Sequence, residues 1–161
     1  MPNAPQAGDR APDFEMPTDA DAPAKLAELK GRIVVLYFYP KDDTPGCTSE
    51  AQGFTAAAAD FRQLGAEVIG VSKDSPKSHG KFRRKYDLDV VLAADEELAV
   101  AQAYGVWGEK TLYGRTYMGI ERATFLIDGN GVVRRVWRKV SVKGHVDEVL
   151  AATRDLRQQE D

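Results

Sequence analysis

The sequence predicts a single mixed α/β domain, and three observations carry that reading. Two apolar runs lack polar alternation, Ile33-Val34-Val35-Leu36-Tyr37-Phe38-Tyr39 and Glu67-Val68-Ile69-Gly70-Val71-Ser72. Such runs suit strands covered on both faces. Stretches of helical spacing separate and follow them. Late in the chain, Asp128-Gly129-Asn130-Gly131 lies between two strand-like runs and signals an antiparallel hairpin. Strands alternating with helices early, and a hairpin late, predict a central mixed sheet flanked by helices on both faces.

Residues 33–39 are the first central strand. Phe54, Ala57, Ala58, Phe61 and Leu64 then recur at helical spacing, predicting a helix over 47–64. Gly65 follows as the left-handed residue past its end. Residues 67–72 form the next strand. Ser75-Pro76 has the form of an N-cap with proline in the first turn, opening a helix to about Tyr86. A short strand over 90–93 comes next, then a helix capped by Asp95 and ended by Gly105. Residues 106–119 carry Gly108, Gly114 and Gly119 and read as loop with a hairpin-like excursion. The hairpin strands are 123–127 and 132–137, and a final helix covers about 144–157.

Neither repeats nor low-complexity linkers divide the 161 residues. Residues 1–13, rich in Pro and Ala, are expected to be a mobile segment, and 14–161 the folded domain. The charge balance, 22 basic against 25 acidic residues, gives −3 and advertises neither nucleic acid nor an anionic membrane. No apolar run approaches the ~18 residues of a membrane span. His79 and His145 lack metal-ligand company and are expected at the surface or at helix ends; no metal or cofactor is expected. Lys77, Lys81, Arg83, Arg84 and Lys85 read as a solvated helix face.

The chain has one cysteine, Cys47, at the start of the helix that follows the first central strand. No internal disulfide is available, which fits a reducing compartment and a cytoplasmic protein. A thiol in a helix's first turn feels unpaired N–H groups and the positive end of the helix dipole, which favour thiolate. Pro45 fixes φ there, and Gly46 leaves space for a ligand near the backbone.

Pro40, Thr44 and Cys47, spaced P-x-x-x-T-x-x-C, resemble the active-site motif of peroxiredoxins, thiol peroxidases that reduce hydroperoxides. Lys41-Asp42-Asp43-Thr44-Pro45-Gly46-Cys47-Thr48, Tyr104-Gly105-Val106-Trp107-Gly108-Glu109-Lys110 and Gly119-Ile120-Glu121-Arg122-Ala123-Thr124-Phe125-Leu126-Ile127-Asp128 resemble the bacterioferritin comigratory protein, or PrxQ, group. The resemblance implies a thioredoxin-like fold and a division of labour. Cys47 would be the nucleophile, Thr44 would hydrogen-bond the peroxide, and Pro40 would shield the thiolate from water. Arg122 would hold the thiolate charge and orient the peroxide oxygens. Glu50, one helical turn beyond Cys47, would steady that arginine. Trp107 reads first as core packing and second as lining of the substrate mouth.

Members of the group commonly carry a resolving cysteine five residues after the first, where this chain has Gln52. The resemblance therefore implies a one-cysteine cycle. The sulfenic acid would be reduced by an external thiol: thioredoxin, glutaredoxin with glutathione, or another small thiol. The expected substrates are hydrogen peroxide and organic hydroperoxides, and the expected state is a monomer or weak dimer.

An ordinary thiol, with pKa near 8.5, is only about 3% thiolate at pH 7, so full ionisation gains at most about 30-fold. Lowering such a pKa by ~2.5 units takes about 3.4 kcal/mol. A helix N-terminus supplies roughly 0.3–1 kcal/mol, at most ~2 when partly buried. A cation is therefore required, and Arg122 is the candidate. The larger gain must come from aligning the O–O bond and stabilising charge on the departing oxygen.

Two other thiol chemistries fit poorly. A disulfide oxidoreductase needs C-x-x-C, and the second position is Glu50. A cysteine phosphatase needs an arginine soon after the cysteine, and residues 48–54 contain none. The competing reading is a peroxide-responsive redox sensor or binding module of thioredoxin-like fold, in which Cys47 oxidation alters a partner surface.

Overall fold

A computed structural model describes residues 4–160. Its core is a five-stranded sheet in the order β5-β4-β3-β8-β9, built from β3 (Ile33–Phe38), β4 (Ala66–Ser72), β5 (Val91–Ala94), β8 (Ala123–Ile127) and β9 (Val133–Trp137). β3, β4 and β5 run parallel, while β8 and β9 are antiparallel to their neighbours. This is the expected mixed sheet of a thioredoxin-like domain.

Every residue of β3 is buried, because its two faces serve two cores. Val34, Leu36 and Phe38 pack with Tyr104, Phe125 and the N-terminal residues Phe14 and Met16. Val35, Tyr37 and Tyr39 pack with Cys47, Phe54, Phe61, Phe82 and Val149. The second face is covered by α1 (Pro45–Ala56), α2 (Ala58–Gln63), α3 (Pro76–Tyr86) and α5 (His145–Glu160). The first is covered by α4 (Ala99–Ala103) and the small ladder of β1 (Glu15–Met16) with β2 (Ala24–Lys25).

Several expectations are refined. The helix expected over 47–64 is two helices, because Ala57 (φ −94°, ψ 4°) ends α1 and its N–H turns back to Gly53 O. Gly65 is left-handed (φ 71°), as expected past a helix end. Asp95 caps α4 from a distance. Its carboxylate accepts the N–H groups of Val100 and Ala101 across a turn that puts Leu98 at φ 65°.

Residues 106–119 are more regular than loop: β6 (Trp107–Leu112) and β7 (Arg115–Ile120) pair as a two-stranded ribbon. Tyr113 and Gly114 both have positive φ (52° and 76°), the two-residue turn whose twist matches its strands. A tyrosine there is uncommon, and residues 111–118 are all exposed, so no burial alternation marked the strands.

The mobile segment expected over 1–13 is corrected for its later part. Val133 O accepts the Gly8 N–H, Asp9 O accepts the Val133 N–H, and Gly131 O accepts the Ala11 N–H. Those bonds hold the segment along the start of β9, with Ala11 buried. Residues 1–3 lie outside the described residues. His79 is buried rather than superficial, His145 opens α5 at a helix end, as expected, though buried, and Arg83 turns inward to Asp19 and the carbonyls of Leu88 and Val90. Among the described residues, no helix is long and apolar enough to cross a membrane.

Candidate active site

The sheet itself delivers two of the candidate residues to one place. β3 ends at Phe38 beside Ala123, the first residue of the antiparallel β8. The chain leaving β3 therefore meets the chain entering β8. Pro40 and the 41–44 loop come from one, and Arg122 comes from the other.

α1 then opens with Pro45, Gly46 and Cys47 in its first turn, where backbone N–H groups lack intrahelical partners. Thr44 holds the N-cap position (φ −103°, ψ 156°) but makes no side-chain capping bond. Its hydroxyl donates instead to Lys41 O at 2.9 Å. The first-turn N–H groups of Gly46 and Cys47 are thus not claimed by the Thr44 hydroxyl.

Cys47 is buried, 1% exposed. The Arg122 guanidinium bridges it to Glu50: Nη2 donates to Cys47 Sγ at 3.4 Å, and Nη1 donates to Glu50 Oε1 at 2.7 Å. Glu50 is fully buried, so burial pushes its carboxyl up to about 7, against the pull of Arg122. Its Oε2 has no hydrogen-bond partner among the described residues. One cation therefore faces two acidic groups. Near pH 7 Glu50 is then about half protonated, and in that fraction it draws less on the Arg122 charge and leaves more of it for the sulfur. Spacing along a helix does not disclose this coupling.

Gly46 has a more specific task than leaving space for a ligand. A Cβ built on it would stand 3.0 Å from Arg122 Nη2. Glycine thus lets the guanidinium lie against the helix mouth and reach the sulfur. Lys110 also approaches; its Nζ donates to Ile120 O at 3.0 Å, and burial depresses its amine.

A cavity of about 710 Å³ opens beside Pro40 and Arg122, walled by Trp107, Lys110, Lys139 and Val140. Trp107 is half-buried; it packs on the core, as expected first, and also borders this cavity. A cavity of about 500 Å³ lined by Arg10, Leu26 and Gly131 holds none of the candidate residues. Among the described residues, no group of three His, Cys, Asp or Glu side chains could hold a metal ion. The arrangement suits two-electron chemistry at sulfur: a buried nucleophile, a fixed cation and backbone donors around one point.

A thioredoxin-like domain with a lone cysteine in that setting defines the thiol-dependent peroxidase class. Comparison with known proteins gives the family. Residues 7–136 match the AhpC/TSA family. The chain is 49% identical over 149 residues to peroxiredoxin Bcp of Bacillus subtilis (strain 168), covering 92% of this chain and 95% of that one. It is 39% identical over 145 residues to peroxiredoxin Bcp of Escherichia coli (strain K12), covering 90% and 93%.

Among solved structures, the bacterioferritin comigratory protein of Xanthomonas campestris superposes with a TM-score of 0.85 at 41% identity, covering 89% of this chain and 92% of that one. A cysteine-to-serine mutant of PrxQ from Xylella fastidiosa gives 0.89 at 34% identity, covering 99% of each. The chain belongs to the AhpC/TSA family, as a peroxiredoxin of the Bcp/PrxQ group whose single cysteine leaves no resolving partner within the chain.

Proposed function

We propose that the protein reduces hydroperoxides at Cys47 in a one-cysteine cycle completed by an external thiol. The observation that carries this is the Arg122 guanidinium, placed 3.4 Å from the sulfur of the sole, buried cysteine at the mouth of α1. The Xanthomonas campestris relative has alkyl peroxide reduction activity, which extends the reading here to organic hydroperoxides as well as hydrogen peroxide.

Cys47 thiolate attacks the nearer peroxide oxygen. The S–O bond forms, the O–O bond breaks, and its electron pair leaves on the far oxygen. That oxygen takes a proton from solvent and departs as water or an alcohol. Arg122, the Cys47 N–H and the Thr44 hydroxyl are the donors for the charge that develops. Thr44 must turn its hydroxyl from Lys41 O to donate, and Pro40 covers the thiolate. Glu50 orients the guanidinium, and Trp107 borders the entry.

The sulfenic acid then condenses with an external thiol, releasing water and leaving a mixed disulfide. A second thiol frees Cys47. Thioredoxin, glutaredoxin with glutathione, or another small thiol supplies these electrons. Reducing conditions of that kind belong to the cytoplasm, where the protein works as a monomer or weak dimer.

A redox sensor would consume about one equivalent of peroxide per chain. The test is peroxide consumption with each thiol system in turn. Many equivalents are expected, and none with Cys47→Ser. Substantial turnover by Cys47→Ser would remove Cys47 from the reaction, and a limit of one equivalent with every thiol would favour the sensor.

A further inference from the structure

Between α3 and the loop that carries Thr44 lies a buried polar cluster that the thiol chemistry does not use. His79 is 0% exposed and Asp42 7%. His79 Nε2 lies 2.9 Å from Ala93 O, which can only accept, so Nε2 carries a hydrogen. His79 Nδ1 lies 2.8 Å from Asp42 Oδ2. That same oxygen accepts from the Ser78 hydroxyl at 2.8 Å, while Oδ1 accepts from the Tyr39 hydroxyl at 2.6 Å. The Asp42 N–H in turn donates to Asp74 Oδ2 at 2.8 Å. With two hydroxyls already donating to it, Asp42 acts as an acceptor, and a proton lies between it and His79 Nδ1.

The next residue turns the chain. Asp43 has φ 60°, a left-handed conformation that aspartate, unlike most non-glycine residues, adopts in turns. α3 also reaches this residue: Lys85 Nζ and Tyr86 Oη both donate to the Asp43 carboxylate at the surface, at 2.8 and 2.6 Å. Thr44 follows and closes on Lys41 O. Every residue from 41 to 44 is therefore pinned, two of them by α3. Cys47 lies three residues further on.

We propose that His79 is a positioning residue for peroxide reduction: from α3 it grips Asp42 and so sets where Thr44 and the first turn of α1 stand around Cys47. The proposal rests on Cys47 being the peroxidatic nucleophile. A buried imidazole–carboxylate pair is a weak device for stability, since apolar residues of equal volume commonly do as well. It is an effective device for geometry, where a displacement of about 1 Å costs on the order of 100-fold in rate.

Two isosteres separate geometry from stability. In His79→Asn, the amide nitrogen takes the place of Nδ1 and keeps a donor for Asp42. In His79→Gln, it takes the place of Nε2 and keeps only the donor for Ala93 O. Each variant loses one of two buried hydrogen bonds, so similar drops in melting temperature are expected. The rate of Cys47 oxidation by hydrogen peroxide, by stopped flow, should stay within roughly 3-fold of wild type in His79→Asn and fall about 30-fold in His79→Gln. Alkylation by iodoacetamide, which needs no aligned peroxide, should change less than about 3-fold in both.

Equal peroxide rates in the two variants, or a wild-type rate in His79→Gln, overturn the proposal. So does a matched loss of alkylation, which reports a general disturbance of the thiol. Should either variant not fold, Ser78→Ala removes one donor from Asp42 and should slow peroxide oxidation about 10-fold with alkylation retained; a rate within about 3-fold of wild type there overturns the proposal equally. Cys47→Ser, measured alongside, separates the two levels: peroxide consumption by that variant sinks the nucleophile reading, whatever His79 does.

Discussion

Glu50 should make the folded protein less stable as the solution turns alkaline, and Glu50→Gln should remove that dependence. Burial raises the folded-state pKa of Glu50 from its ordinary 4.5 to about 7. The folded state thus holds this proton more tightly than the unfolded chain does. By linkage, the associated stability is fully present below about pH 4.5 and is lost as pH rises, completely so above about 7. Such a rise corresponds to roughly 3 kcal/mol in full, most of it lost between pH 5 and pH 8.

The clean comparison uses Cys47→Ser as background, so that no thiolate titrates beside Arg122. Urea unfolding followed by circular dichroism at pH 5, 6, 7 and 8 gives the stability of each protein. Relative to its Glu50 parent, the glutamine variant should gain about 2–3 kcal/mol across that range. Parallel curves, with a difference constant within about 0.5 kcal/mol, would mean that Glu50 is ionised throughout and that Arg122 overcomes its burial.

Arg122→Ala should slow Cys47 oxidation on the order of 100-fold, the scale for losing one preorganised donor at developing charge. Arg122→Lys should recover only part of this, since a point charge cannot reach Sγ and Glu50 Oε1 together as the planar fork does; stopped-flow oxidation reads both, and a wild-type rate in Arg122→Ala would remove the guanidinium from the reaction. Gly46→Ala should slow the same step about 10-fold with little loss of stability, because its Cβ would press on Arg122 Nη2. An unchanged rate would show that the guanidinium has room to yield. Gln52→Cys should form an internal disulfide after peroxide only with unwinding of the first turns of α1, because residues five apart do not share a helix face. Loss of helical circular dichroism on oxidation checks this, and a disulfide formed without that loss would contradict it.

The central strand was legible because residues 33–39 are apolar on both faces, which only a doubly covered strand requires. The 128–131 turn was legible because its glycine and asparagine placement is local chemistry. Cys47, Thr44, Pro40 and Arg122 were candidates through the resemblance, and the structure brings the 40–47 loop and Arg122 together at the meeting of β3 and β8.

What stayed hidden depends on distant partners. His79 looked superficial because only the fold brings Asp42, Tyr39 and Ala93 O around it. Glu50 was expected beside Arg122, but its complete burial was not legible, since that comes from elements far along the chain. The β6–β7 ribbon carries no burial alternation at all, so periodicity could not report it.

The one-cysteine cycle is tested most directly by intact-mass measurement after one equivalent of hydrogen peroxide, in the absence of any thiol. The expected main product is the monomer with one added oxygen, trapped by a sulfenic-acid reagent at Cys47, with further peroxide adding a second and third oxygen. A stable dimer joined through Cys47 as the main oxidised species, turned over directly by the reductant, would contradict the account.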